Sequence, residues 1–194
     1  ERLDIIPSEV DLCGADLELA RLEHHLQRAR QCLQPVRDSG RYDVVVIDCP
    51  PSLGILTLNA FAAADGLIVP LQCEYFALEG ISMIHRLMAQ LRDSGISPHL
   101  ELTGVVMTMF DGRTKLSNQV VSEVREHFGA TVFETLIPRT TRLAEAPSYG
   151  QPIIYYDKYS AGAAAYEVLT QEVVKRLGLG TRAEVAAGHS KARG

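Results

Sequence analysis

Residues 42–52, YDVVVIDCPPS, carry four consecutive apolar residues that run into an aspartate and two prolines. A strand with one solvated face alternates apolar and polar residues, whereas the residues from Val44 to Ile47 are apolar on both faces. Such a run is typical of a central strand in a parallel sheet that helices cover on both sides. The prolines cannot donate to a sheet ladder, so the strand ends at Asp48. The run predicts an α/β fold with this carboxylate at the edge where such sheets bind ligands.

The remaining sequence alternates between strand and helix periodicity. This alternation implies right-handed βαβ crossovers and a mostly parallel sheet flanked by helices. Residues 179–194 are small, polar and weakly periodic, which predicts a flexible tail. The predicted strands cover residues 3–7, 43–48, 66–71, 102–109 and 131–137, and the predicted helices cover 16–37, 56–64, 77–91, 116–128 and 163–177.

The composition is that of one ordinary α/β domain, with 194 residues, 46% of them hydrophobic and 22% charged. The net charge of −5 argues against wholesale electrostatic attraction to nucleic acid, although a local basic patch is compatible with it. The four cysteines form no CxxC pair and have no histidine at metal-ligand spacing, which indicates reduced thiols in a cytoplasmic protein. No stretch has the length of a membrane span, so we expect no membrane partner.

An aspartate at a strand end holds Mg²⁺ through water in P-loop proteins, where a glycine-rich loop with lysine holds the phosphates. The chain contains neither GxxxxGK[ST] nor KGGxGK. It begins with ERLDIIPSEVDL, without an initiator methionine and inside a predicted strand. Two interpretations follow. Either Asp48 is not a magnesium residue, or the chain is the rear part of a longer protein whose phosphate loop lay upstream of Glu1.

Three further segments follow predicted strands and are expected at the same sheet edge as Asp48. They are EYFALEG at 74–80, MTMFDGRTKL at 107–116 and IPRTTRLAEAPSYGQPI at 137–153. Four segments that converge on one edge predict a ligand site with its lids.

These segments, together with DVVVIDCPPS and the closing YDKYSAGAAAYEVLTQEV, resemble in order and spacing the ParA/Soj partition ATPases of the MinD-type P-loop class. The resemblance implies a P-loop fold of which residues 1–178 are the C-terminal portion, without the N-terminal βαβ part. It also implies ATP and Mg²⁺ as cofactors and an ATP-bound sandwich homodimer that binds DNA without sequence preference. A ParB-like centromere-binding protein would stimulate hydrolysis, and the protein would be cytoplasmic and associated with the nucleoid.

The resemblance also assigns roles to single residues. Asp48 matches the Walker B aspartate, which positions Mg²⁺ and water and is the catalytic residue in this chain. The other matching positions fall into three groups: Asp111, Pro138 and Arg139 border the nucleotide base, Arg113 and Arg142 contact the DNA backbone, and Glu74, Tyr75 and Glu79 face the dimer partner.

Simpler interpretations stay open beside these roles. Asp48 could cap the loop or helix that follows it, and Arg113 and Arg142 could be solvated loop residues. A MinD-type positioning ATPase would require an amphipathic C-terminal helix with bulky apolar residues, which residues 180–194 do not provide. A non-enzymatic interaction module that kept only the sheet and its lids is the alternative from another functional class.

Overall fold

The computed structural model describes residues 3–75 and 77–179, with the side chains of residues 13 and 77–79 left out. The helices and strands fall into two compact units, one formed by Glu1–Asp65 with Leu87–Glu101 and the other by Gly66–Arg86 with Leu102–Gly194. The predicted tail lies outside the described residues apart from Leu179.

The first unit is built on helices. It contains α1 (Ala15–Leu19), α2 (Arg28–Asp38), α3 (Ile55–Ala63) and the end of α4 (Ala77–Asp93). The buried face of α3 includes Phe61 and Asn59. The Asn59 amide accepts from Ala29 N–H at 3.1 Å and donates to His25 O at 2.8 Å, which fixes the start of α2 against α3. Asp16 accepts from Leu56 N–H at 3.1 Å, so a carboxylate lies at the N-terminus of α3.

The second unit holds a three-stranded parallel sheet of order β1-β2-β3, formed by β1 (Gly66–Gln72), β2 (Glu101–Phe110) and β3 (Val132–Pro138). Helices α5 (Lys115–Phe128) and α8 (Ala161–Arg176) flank it, and the short helices α6 (Thr141–Glu145) and α7 (Ile153–Tyr156) lie between β3 and α8. The predicted α/β class is therefore confirmed. A main apolar cluster packs β1, β2 and β3 against α4 and α5 through Leu71, Cys73, Ile81, Val105, Met107, Val120, Val121, Val124 and Val132.

Helix α8 is fixed to the sheet by two charged side chains. Glu172 accepts from the N–H groups of Glu134 and Thr135, each at 2.9 Å, at the outer edge of β3. Arg176 donates to Thr103 O at 3.0 Å and to Thr131 O at 2.7 Å, and its guanidinium lies 4.0 Å from the centre of the Phe133 ring. The two Glu172 bonds satisfy N–H groups that the outer edge of β3 would otherwise leave unpaired.

The strands predicted over residues 3–7 and 43–48 are wrong for this structure. Neither segment forms a strand, and Ile5 and Val46 are 77% and 86% exposed. A strand exists only with a hydrogen-bonded neighbour, and no strand lies in the first unit among the residues that the structure describes apart from Glu101 of β2. The helix predicted over residues 16–37 is also interrupted, since His24 adopts the left-handed conformation with φ 54° between α1 and α2.

Candidate functional site

The carboxyl ends of β2 and β3 place two of the predicted sites side by side. Phe110 is in register with Pro138, and Arg139 N–H donates to Phe110 O at 2.9 Å. The register shifts between Met107 and Phe110, and Met109 has a positive φ of 53°, so β2 carries an irregularity just before the loop. Asp111 and Arg139 therefore leave the sheet together from neighbouring strands.

Asp111 and Arg113 form a closed ion pair within one turn. The guanidinium of Arg113 donates through Nε to Oδ1 at 2.9 Å and through Nη2 to Oδ2 at 2.7 Å, and the Arg113 N–H donates to Oδ1 at 3.1 Å. These bonds from Arg113 lower the pKa of Asp111 from 3.8 to about 2. The Arg113 side chain is nevertheless 90% exposed, so it is open to an anion from solvent.

The turn that carries this pair leads directly into α5. Thr114 N–H donates to Asp111 O at 3.0 Å, and the Thr114 hydroxyl accepts from Ser117 N–H at 3.2 Å as the N-cap of the helix. The sequence DGRT thus supplies the turn, the arginine and the helix cap in four consecutive residues.

The segment after β1 contributes one contact to this edge. Glu74 Oε1 lies 3.6 Å from Arg139 Nη2, and both side chains are more than half exposed. Tyr75 is 78% exposed. Glu79 is part of α4, and its side chain is outside the described part of the structure. The structure thus brings a predicted dimer-facing residue next to a predicted nucleotide-facing residue.

Arg142 projects from α6, which Thr140 caps by accepting from Leu143 N–H at 3.2 Å. Its guanidinium lies between two carboxylates, with Nη1 at 3.3 Å from Glu145 Oε2 and Nε at 3.5 Å from Asp157 Oδ2. The same guanidinium is 6.0 Å from the centre of the Tyr156 ring. The hydroxyl of Tyr156 donates to Glu145 Oε2 at 3.0 Å.

Asp48 belongs to the first unit, where its side chain is exposed in the irregular segment that precedes Pro50. Burial, and then the charge of Asp48, raise the pKa of the neighbouring Cys49 thiol, so this cysteine is a poor nucleophile. Mg²⁺ keeps several waters and binds through one or two carboxylates, so an exposed single carboxylate fits a water-mediated contact. No group of three or more His, Cys, Asp or Glu side chains able to hold a metal occurs among the described residues.

The partners of Arg142 were missed in the sequence analysis. The Arg142–Glu145 pair has the i,i+3 spacing of side chains that meet on a helix, but no helix was predicted over residues 141–145, so the spacing had no meaning there. Asp157 is fifteen positions away from Arg142, so no local spacing in the sequence links the two residues.

Within the described ranges, no helix is long and apolar enough to cross a membrane.

A family model described as an AAA domain matches residues 1–102. The chromosome partitioning protein ParA of Caulobacter vibrioides is 48% identical over 174 residues, which are 90% of this chain and 65% of that protein. The chromosome-partitioning ATPase Soj of Treponema pallidum is 47% identical over 173 residues, which are 89% of this chain and 67% of that protein. The chain thus spans about two thirds of the length of these relatives.

Among solved structures, cobyrinic acid a,c-diamide synthase from Mycobacterium smegmatis with bound ADP and magnesium matches with a TM-score of 0.71 at 32% identity. The match covers 91% of this chain and 63% of that chain. Its ligands indicate that nucleotide and magnesium binding occur on this fold. Because the AAA model covers more than half of the sequence and the Treponema relative is matched over two thirds of its length, the chain belongs to the ParA/Soj family of partitioning ATPases.

Proposed function

We propose that residues 1–178 of this chain form the C-terminal portion of an ATPase domain. The ATPase would segregate a chromosome or plasmid as a nucleotide-switched homodimer. The observation that carries the proposal is the identity of nearly half over 90% of the chain to a chromosome partitioning protein. The sequence contains no GxxxxGK[ST] motif, so we assign phosphate binding to no residue of this chain.

Asp48 is the proposed magnesium residue, acting through water. When bound, Mg²⁺ neutralises charge that develops on the phosphates during transfer. Asp111, Pro138 and Arg139 are the proposed border of the base. The bond from Arg139 N–H to Phe110 O supports this role, because it fixes the two loops relative to each other before a nucleotide arrives.

Arg113 and Arg142 are the proposed contacts to the DNA backbone, and their exposed guanidinium groups suit phosphate oxygens.

Glu74, Tyr75 and Glu79 are the proposed dimer-facing residues, and a ParB-like protein is the proposed partner that stimulates hydrolysis. Residues 179–194 are proposed to be a flexible tail. A protein that binds DNA in this way would be cytoplasmic and associated with the nucleoid.

The catalytic part is tested by ATP hydrolysis in the full-length protein. Asp48→Ala should abolish Mg²⁺-dependent turnover, because the metal loses its anchor. Asp43→Ala removes an exposed carboxylate five positions earlier and serves as the matched control, which should retain turnover. Turnover that survives Asp48→Ala at the control rate would contradict the assignment and favour the capping role.

The DNA part is tested by fluorescence polarisation with ATP present, using duplexes of unrelated sequence over a range of salt concentrations. Affinity should not depend on sequence and should fall by roughly 0.9 log units per phosphate contact for each log unit of salt. Arg142→Ala should reduce that slope by up to about two in the dimer, while hydrolysis without DNA stays near its original rate. Lys175→Ala, in the last turn of α8, is the control for loss of one positive charge. An unchanged slope in Arg142→Ala would make this arginine a solvated loop residue.

A further inference from the structure

We propose that Asp157 competes with DNA phosphate for Arg142, so that this carboxylate is a positioning residue that restrains DNA binding. The inference rests on the proposed contact between Arg142 and the DNA backbone. It concerns two carboxylates and a tyrosine around one guanidinium, an arrangement that the sequence alone did not reveal.

The two carboxylates differ in how firmly they are held. Glu145 lies in α6 with Arg142, and its Oε2 also accepts from the Tyr156 hydroxyl at 3.0 Å. It is therefore fixed from a second side. Asp157 follows α7, approaches the guanidinium from the Nε edge at 3.5 Å and has its other oxygen 3.3 Å from Tyr159 N–H. Both carboxylates therefore have a second contact, but both distances at Asp157 are longer, 3.5 and 3.3 Å against 3.3 and 3.0 Å at Glu145. Asp157 is the more weakly held of the two, which makes it the partner that a phosphate would displace.

The backbone around the pair is well supported. Buried Ala146, Ile153 and Ala163 form an apolar cluster with Leu143 and Tyr156, and this cluster joins α6, α7 and the start of α8. A Cβ at Gly162 would lie 2.6 Å from Leu143, so α8 approaches α6 as closely as a glycine allows. The segments that carry Arg142 and Asp157 are thus held in place, and competition for the guanidinium needs only side-chain movement.

The balance of charge supports competition rather than assistance. One guanidinium faces two carboxylates, so the group carries a net negative charge before DNA arrives. The Arg142 side chain is 57% exposed and its partners are partly exposed, so each pair is weak enough for a phosphate to replace. Asp157 partly neutralises the Arg142 guanidinium, which weakens the attraction between Arg142 and a phosphate. The Asp157 carboxylate also repels the phosphate directly.

The test is Asp157→Asn in the full-length protein with ATP, measured by fluorescence polarisation with a DNA duplex. Asparagine keeps the shape and an oxygen that can accept from Tyr159 N–H, so the loop should stay in place. DNA affinity should rise about 1.5- to 5-fold per protomer, the range expected for an exposed ion pair. The gain should shrink at high salt, because salt screens the carboxylate. An unchanged or lower affinity would overturn the inference.

A double-mutant cycle separates competition from a general loss of negative charge. In the Arg142→Ala background, Asp157→Asn should give a clearly smaller gain, because the guanidinium for which the carboxylate competes is gone and only direct repulsion of the phosphate is relieved. A gain of equal size in both backgrounds would mean that Asp157 acts only by repelling DNA, and would overturn the inference. Glu167→Gln, at an exposed position in α8, measures the effect of removing one acid from this part of the chain.

The same cycle distinguishes failure of the inference from failure of the proposed function. Arg142→Ala without any loss of DNA affinity would remove the proposed DNA contact, and the inference with it. Arg142→Ala with reduced affinity, combined with an Asp157→Asn variant that binds no better than the original protein, would leave the DNA contact intact and refute only the competition.

Discussion

Gly104 lies in the middle of β2 with the ring of Phe133 directly above it. An added Cβ would lie 2.2 Å from Phe133 Cε2 and 2.7 Å from Arg176 Nη1. Carbon atoms in contact sit about 3.5–4.0 Å apart, so the methyl group of Gly104→Ala needs more than an ångström of movement from its neighbours. Phe133 is fully buried, and Arg176 is held by the carbonyls of Thr103 and Thr131, so neither has free space.

The cost follows from these contacts. Inserting a methyl group into a well-packed site costs about 1–3 kcal/mol, and displacing Arg176 would weaken two hydrogen bonds, which adds about 1 kcal/mol in total. We therefore expect Gly104→Ala to lower the free energy of unfolding by about 2–4 kcal/mol. For a domain of this size the melting temperature should fall by about 4–16 °C.

Thermal and urea unfolding of the full-length protein, followed by circular dichroism, measure this loss. Gly80→Ala in α4 is the matched control, because an added Cβ meets nothing within 4 Å there and alanine is the better helix former. Replacing Phe133 with leucine beside Gly104→Ala should recover part of the loss, since the two sites share one contact. If Gly104→Ala melts like the Gly80→Ala control, the close approach of α8 and Phe133 to β2 is wrong.

Two further predictions concern a buried amide and an exposed ion pair. Asn59→Ala should lower the free energy of unfolding by about 2–4 kcal/mol in urea, because it orphans Ala29 N–H and His25 O at a site only 3% exposed; an unchanged unfolding midpoint would argue against this link. The pKa of Asp111 is lowered to about 2, so its contribution to stability is complete above pH 4 and is lost as the pH falls towards 2. Asp111→Asn should abolish that part of the pH dependence in acid unfolding, and an identical profile would show that the pair does not form.

The strand and helix boundaries of the second unit were largely predictable from the sequence. The strands predicted over residues 66–71, 102–109 and 131–137 are each found within a residue or two, and so are the ends of the helices that follow two of them. These elements are bounded by local signals. Thr114 and Ser160 cap α5 and α8, and the strands are rich in apolar residues.

The same reasoning failed where an element needs a partner that lies elsewhere. The residues from Val44 to Ile47 have the composition of a central strand, yet they form none, and Val46 is 86% exposed. The composition of a segment indicates its propensity for a strand, whereas the backbone hydrogen bonds of a strand require a neighbouring strand. The break at His24 was missed for another reason, since a left-handed histidine between two helical patterns has no distinctive spacing.

The site shows the same division between residue types and their partners. Asp111, Arg113, Arg139 and Arg142 could be located at the loops from the sequence. Their ion-pair partners could not, so each arginine was interpreted as an unpaired cation. In the structure Arg113 pairs with Asp111, and Arg139 and Arg142 lie next to carboxylates as well. A basic residue that is already paired attracts a phosphate less strongly than its charge suggests, because the phosphate must replace a carboxylate. If Arg113 and Arg142 contact the DNA backbone as proposed, the affinity for phosphate depends on whether these ion pairs open, and not on the net charge of −5 alone.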